Sequence, residues 1–422
     1  MTAQGNQLAT WRARLFTAAW VLYAGFYICR KNMEGVVAMG PAHLAAELAC
    51  FGAAYALAQF VGGELADRYN ARYTVLAGAV ISILCTVSLA WAPAGAVLFL
   101  QFGNGFGQGF GWPALLKLFG VWFRKKERDR ILGWWSTSYI LGGFIATSLT
   151  AWLMAHSGFA NGVGFHPAFM VASAVLLITA LFFVQQTGDL PDSRPEKKAA
   201  GIDGRDSIRG WRSILGNRNM QIIGAMYFFL KMTRYTLLFW LPHYLVSSVG
   251  YSAEAAAHTA SCFEILSIAG PIAIGYIVER WFTERRIELG AGMQYALAFI
   301  CLLHPLLAGS GWFGMIVSIS LMGALIHGSD LLMSGMTVLH TIPSAQHGRA
   351  VGFVNGIGSV GQAISPLLAT LFVSYFGWSK LFDLFVFFAL LSGVICTFGA
   401  RLQTGTAPAL NRSVLEPFDV RL

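Results

Sequence analysis

The sequence predicts an all-α integral membrane protein of twelve transmembrane helices, arranged as two pseudo-symmetric six-helix bundles. Three observations carry that expectation. Of 422 residues, 56% are hydrophobic and only 12% charged, about half the roughly 25% charge of an ordinary globular domain. Apolar runs of at least 18 residues recur, the length that crosses a hydrocarbon core about 30 Å thick. The charges gather between the runs, and mainly on alternate sides of them.

The spans fall at approximately 15–38, 44–66, 73–92, 95–121, 131–155 and 165–185, then 219–247, 254–279, 288–308, 312–341, 348–375 and 379–400. The longest polar stretch, Gln186–Arg218, divides them six and six. The expected organisation is an N-terminal bundle over 1–185, a flexible or partly helical linker over 186–218, and a C-terminal bundle over 219–422 with a short tail.

With twelve spans both termini share a side. That side holds most of the 29 basic residues: Arg12 and Arg14, Arg68 and Arg72, the cluster Arg124–Arg130, seven in the linker, Arg280, Arg285 and Arg286, Arg349, and three in the tail. The opposite connections carry only Lys380. The positive-inside rule therefore places both termini in the cytoplasm, and a bacterial inner membrane is the expected location. The net charge of +9 becomes a topology signal; a nucleic-acid partner would need one continuous basic face, and anionic lipid is a secondary partner.

Met1–Thr10 is polar with no small-residue cleavage site ahead of a short apolar region, so the first helix is expected to be an uncleaved signal-anchor. Cys29, Cys50, Cys85, Cys262, Cys301 and Cys396 stand singly. Their spacing suggests neither a disulfide framework nor a metal site, and no cofactor is expected.

The two halves echo each other. Gly63-Glu-Leu-Ala-Asp67-Arg68, continuing to Arg72, follows the second span; Gly275-Tyr-Ile-Val-Glu279-Arg280 follows the eighth. Arg130-Ile-Leu-Gly133 at the fifth span pairs likewise with Arg349-Ala-Val-Gly352 at the eleventh. Two motifs recurring at nearly one offset fit a six-helix unit duplicated in parallel. Glycine permits close helix approach, and Asp67 with Arg68 can cap and pair across the turn. A gating role and a purely structural one are both open. Together, the six-plus-six pattern, the basic central loop and Gly63–Arg72 resemble the major facilitator superfamily, which implies its fold.

Five basic residues fall inside predicted spans: Arg30, Lys31, Lys117, Lys231 and Arg234. Each costs about 3 kcal/mol at mid-membrane on insertion scales, so such residues usually face a polar cavity. Arg30 and Arg234 lie in the first span of each half, which a parallel repeat sets on opposite walls of a central cavity. Two guanidinium forks there suit a small multivalent oxyanion. Lys231 stands one turn before Arg234. Glu264 and Asp330 are the deeply placed acids, too few to neutralise all five cations. Lys117, near the end of the fourth span, can reach the interface; Lys31 points about 100° away from Arg30. Tyr23, Tyr27 and Arg30 share one face by their i, i+4, i+7 spacing, as do Tyr55 and Gln59 on the second span.

The run Tyr23-Ala-Gly-Phe-Tyr27-Ile-Cys-Arg30-Lys31-Asn32 resembles the first-helix signature of the organophosphate:phosphate antiporters. Gly107–Pro113, Trp122–Arg128, Ser138–Gly143, Arg234-Tyr235 and Trp240–Tyr244 are similar to the same family. The resemblance implies phosphate binding by Arg30 and Arg234 with Tyr27 and Trp112 nearby, and exchange of an organic phosphate for inorganic phosphate by alternating access. This chain departs from the family's pattern in places. Gln59 replaces a helix 2 lysine, Lys231 a tyrosine, Tyr139 a histidine and Phe239 an acidic residue, while Ile326-His327-Gly328-Ser329-Asp330 stands in place of a Gly-Pro element. Lys231 then reads as a third cation moved across the cavity. Asp330 either compensates charge, holding Lys231 or Arg234, or meets an amine or hydroxyl of the substrate.

The expected function is a monomeric organic phosphate:phosphate antiporter. The alternatives are a proton-coupled symporter of a carboxylate or phosphonate, and a transporter-like sugar-phosphate sensor. The sequence offers no nucleophile–base pair, metal cluster or phosphate loop of an enzyme; Gly103–Gly111 lies inside a span, where glycines allow helix packing.

Overall fold

A computed structural model describes residues 3–31, 41–156, 166–188 and 204–404. Every regular element in it is helical. In chain order these are α1 (Ala3–Lys31), α2 (Pro41–Arg68), α3 (Ala71–Leu89), α4 (Ala94–Gly109), α5 (Gly111–Trp122), α6 (Lys125–Trp135), α7 (Thr137–His156), α8 (His166–Thr187) and α9 (Gly204–Leu215). There follow α10 (Arg218–Ser247), α11 (Ala253–Leu266), α12 (Ala269–Trp281), α13 (Arg286–Gly309), α14 (Trp312–Leu331), α15 (Val338–Thr341), α16 (His347–Phe376) and α17 (Leu381–Thr404).

Nine stretches among the described residues are long and apolar enough to cross a membrane. The rods α1, α4–α5 and α6–α7 bring the count to twelve. α4–α5 and α6–α7 are broken rods, as is α11–α12, which is among the nine. The breaks have local causes that hydropathy does not register. Pro113 cannot donate to the Gly109 carbonyl, nor Pro271 to that of Ser267, and the rods interrupt at Phe110 and at Ser267–Ile268. At the α6–α7 joint, Ser136 Oγ donates to Gly133 O (2.8 Å) and Thr137 Oγ1 to Trp134 O (2.7 Å), so hydroxyls compete with the helical ladder. The tenth rod is continuous from Trp312 to Thr341 but passes through a π-turn at Leu332–Thr337, where Thr337 Oγ1 donates to Leu332 O (2.7 Å). Linker residues 189–203 and tail residues 405–422 lie outside the description, as does the side chain of Lys31. The linker's described part is α9, an amphipathic helix.

α2 lies along α16, α6 against α12, α1 against α7 and α8, and α10 against α16 and α17. Arg12, Arg68, Arg124, Arg218, Arg285 and Arg349 mark one end of the rods, called here the basic face.

Candidate functional site

Arg30 ends the Tyr23–Tyr27–Arg30 stripe of α1. Its guanidinium carbon lies 4.4 Å from the centre of the Tyr27 ring, 4.6 Å from that of Tyr55 and 5.5 Å from that of Phe51. Arg30 Nε donates to Gln108 Oε1 at 3.0 Å. Gln108 is itself fixed: its Nε2 donates to Asn104 Oδ1 (3.0 Å) and Ser82 Oγ (3.4 Å), while Asn104 Nδ2 donates to the Cys29 carbonyl (3.2 Å). A polar network spanning α3, α4 and α1 thus aims the guanidinium. Its Nη2 is buried with no hydrogen-bond partner.

Arg234, on α10, is buried and paired through Nη1 with Asp330 Oδ2 at 2.8 Å. Tyr227 Oη donates to the other carboxylate oxygen at 2.6 Å, so both oxygens of Asp330 are engaged. Arg234 Nε is buried without a partner, and its guanidinium lies 5.1 Å from the centre of the Tyr139 ring. Lys231 Nζ donates to Ser359 Oγ of α16 at 3.0 Å and lies 5.2–5.7 Å from the centres of the Tyr227, Tyr55 and Tyr235 rings. Ring faces carry negative potential, so these tyrosines hold the three cations close together without neutralising them.

Arg30 and Arg234 line one cavity, with about 560 Å³ of empty space partly continuous with the outside. Tyr27, Tyr235, Phe51, Glu47, Gln101, Phe239 and Gln362 complete most of its wall. Glu47 and Phe51 on α2, Gln101 on α4, Phe239 on α10 and Gln362 on α16 belong to the helix halves away from the basic face. The cavity therefore extends toward the opposite end.

Of the candidates read from sequence, Arg30, Arg234 and Tyr27 line the cavity. Tyr55, Tyr139 and Asp330 pack directly against those three, and Lys231 lies against Tyr55 and Tyr235 one turn before Arg234. Tyr23 and Trp112 sit one layer deeper, packed at a tilt with ring centroids 5.6 Å apart and against Trp135 at 5.0 and 5.3 Å. His327 stacks on Tyr139 at 6.0 Å, and its Nδ1 bonds the Gly323 carbonyl (2.9 Å).

Three expectations are corrected. Gln59 is not among the residues lining the cavity but in the α2–α16 seam, where Oε1 accepts from Asn355 Nδ2 at 3.1 Å. Glu264 is half-buried in the last turn of α11, beside the break at Ser267–Ile268, and is not among the residues lining the cavity. Lys117 does not reach for the interface: it is buried and pairs with Asp67 Oδ1 at 2.5 Å, because α5 runs directly beside the end of α2. Sequence reading missed Glu47, Gln101, Gln362 and Gln108. Only Gln101 and Gln108 carried a signal, since they share with Asn104 one face of an otherwise apolar span.

The repeated motifs close the basic face in crossed pairs. A Cβ at Gly63 would strike the Gly348 carbonyl, and one at Gly352 the Gln59 carbonyl, so α2 and α16 meet backbone to backbone. Asp67 does not cap its own turn with Arg68, as the sequence suggested. It accepts from the Gly348 and Arg349 amides at 2.9 and 2.8 Å, capping the first turn of α16. Glu64 takes the Arg349 guanidinium in a bidentate pair (2.6 and 3.1 Å). On the other seam, a Cβ at Gly275 would lie 2.8 Å from Asp129 O and one at Gly133 2.7 Å from Pro271 O. Arg130 stands 3.9 Å from Glu279, as Arg349 does from Asp67. Asp129 pairs with Arg286 at 2.6 Å, and Arg128 donates to the Leu339 carbonyl at 2.8 Å. Arg68 and Arg280 are exposed and lie over Tyr69 and Trp281; Arg72 donates to the Gly188 carbonyl (3.3 Å).

Relatives and solved structures agree with this architecture. The chain is 27% identical over 396 residues to the glycerol-3-phosphate transporter of Bacillus subtilis (strain 168), covering 87% of each. It is 25% identical over 384 residues to a glucose-6-phosphate exchanger of Mus musculus, covering 79% of this chain and 74% of that one. Its fold matches the E. coli fucose:proton symporter with a TM-score of 0.72 at 13% identity, over 91% of this chain and 97% of the other. A human organic anion transporter matches with a TM-score of 0.73 at 14% identity, over 91% and 99%. The Major Facilitator Superfamily pattern itself matches residues 15–340. This polytopic all-α chain belongs to the major facilitator superfamily.

Proposed function

We propose that this protein is a secondary transporter that exchanges an organic phosphate for inorganic phosphate across a bacterial inner membrane, with both termini cytoplasmic. The observation that carries the reading is the meeting of Arg30 and Arg234 in one cavity, from the first helices of the two six-helix halves. Each guanidinium keeps a buried nitrogen without a partner, and Lys231 adds a third cation near them, while Asp330 pairs with Arg234 and Glu47 stands in the cavity wall. That arrangement suits a phosphoryl group, which accepts from several donors at once. The names of the relatives, carriers of glycerol-3-phosphate and glucose-6-phosphate, point to the same chemistry. The closed basic face and the cavity on the far side describe one end state of an alternating-access cycle in which the halves rock about a fixed site. Bound anion offsets the repulsion between the arginines, so the loaded carrier crosses more readily than the empty one, which favours exchange.

The test is labelled-phosphate exchange in phosphate-loaded proteoliposomes. Arg30→Ala and Arg234→Ala should each abolish exchange in a folded protein; near wild-type exchange in either removes the assignment. The Arg234–Asp330 pair favours one second reading, proton-coupled uptake with Asp330 as the proton acceptor. Uptake that follows an imposed pH gradient without internal phosphate supports it.

A further inference from the structure

The linker helix α9 has two faces with different tasks. Its inner face lies on the α2–α16 seam. Ser207 Oγ donates to Glu64 Oε1 at 2.8 Å, Trp211 packs on Phe60 with ring centroids 6.1 Å apart, and Ile214 is fully buried. Gly210 is the point of closest approach: a Cβ there would lie 2.9–3.1 Å from the guanidinium of Arg349. The inner face therefore covers the Glu64–Arg349 pair that ties the two helices together.

The outer face is built differently. Ile208, Arg212 and Leu215 follow i, i+4, i+7 spacing and Arg209 flanks them, so the four share one arc of the helix. Ile208 is 58% exposed and Leu215 50%; both arginines are exposed and meet no described carboxylate within ion-pairing distance. Three residues after Leu215, α10 begins as a membrane span, which sets α9 at the level of the membrane surface. Apolar side chains between arginines at that level match a layer of anionic headgroups over acyl chains: the guanidiniums meet phosphate and the aliphatic groups enter the boundary.

We infer that the outer face of α9 docks on anionic lipid, and that the docked helix holds the Glu64–Arg349 clasp shut from below. Lipid charge then regulates how readily the basic face opens. An outer face turned to water alone has no use for Ile208 and Leu215. An inner face serving only as a spacer would not need Gly210 against Arg349.

The test is hydrogen exchange of the α9 backbone amides in the full-length protein, in phosphatidylcholine nanodiscs with and without phosphatidylglycerol. Phosphatidylglycerol should slow α9 exchange, added salt should reverse the effect, and Arg209→Gln with Arg212→Gln should weaken it about fivefold per arginine. These positions are exposed, so the variant folds, and unchanged exchange in α16 checks that it has. Equal protection in the two lipids, an unaltered lipid effect in the double variant, or the same protection from free inorganic phosphate would each overturn the proposal.

Discussion

Arg234 and Asp330 meet at 2.8 Å across α10 and α14, both almost fully buried, and the carboxylate of Asp330 is completed by Tyr227. A buried pair of this kind contributes little net stability, because desolvation offsets attraction, yet loss of one partner is costly. Asp330→Asn leaves Arg234 beside Lys231 with no counter-charge, and the expected loss is about 3–5 kcal/mol. Bound phosphate can replace the missing charge. In thermal unfolding, phosphate should therefore raise the melting temperature of Asp330→Asn more than that of wild type. An equal rise in the two proteins shows that the anion does not reach Arg234.

Gln108 makes no claim on substrate but aims Arg30 through Nε. A hydrogen bond to a charged group is worth about 1.5–3 kcal/mol, so Gln108→Leu should weaken phosphate affinity about tenfold or more. Gln108→Glu, which restores an acceptor, should recover part of it. Isothermal titration of the two variants separates positioning from packing: equal affinities mean that shape, not the acceptor, is what Arg30 requires.

Asp67 receives Lys117 Nζ and two amides of α16. A carboxylate at a helix N-terminus is favoured by the backbone dipole, so Asp67→Asn weakens the cap by removing its charge and one acceptor oxygen, and leaves Lys117 without a counter-charge. The basic face should open more often. Spin labels at exposed Tyr69 and Ala345, in a cysteine-free background, should show a longer-distance population that wild type lacks. Unchanged distances mean that the glycine contact alone closes the seam.

The fold was legible because each span announces itself by an apolar run and each connection by its arginines; predicted and observed ends differ by a few residues for most rods. The breaks at Phe110 and Ser267 were not, since hydropathy averages over a proline's missing donor. Arg30 and Arg234 were legible because an arginine inside a span is costly and so has a reason. Glu47 was hidden by position, since a polar residue toward a span end resembles an interface residue until the helices are packed, and Gln362, at the middle of its span, joins the cavity wall only through that packing. The Lys117–Asp67 pair and the crossed seams depend on tertiary register, which one helix's pattern does not contain. The echoes Gly63/Gly275 and Gly133/Gly352 were visible as repeats, yet each motif's partner is the other motif of the opposite half.

That crossing makes a last prediction. Gly63 faces the Gly348 carbonyl on one seam, and Gly275 faces Asp129 O on the other. Because backbone, not a flexible side chain, opposes each glycine, alanine at either position must push two helices apart. Overpacking of this kind costs about 1–3 kcal/mol, and it is charged only to the state in which the seam is closed. Gly63→Ala and Gly275→Ala should thus each shift the protein toward opening at the basic face, by the same spin-label measurement. If the halves move as rigid bodies, one opening parts both seams and relieves both clashes, so both penalties fall on the same closed state. The double variant's shift should then equal the sum of the single shifts to within the roughly 0.5 kcal/mol scatter of independent sites. No shift at the Tyr69–Ala345 pair from Gly275→Ala would mean that the two seams open separately, with no rigid-body coupling between them.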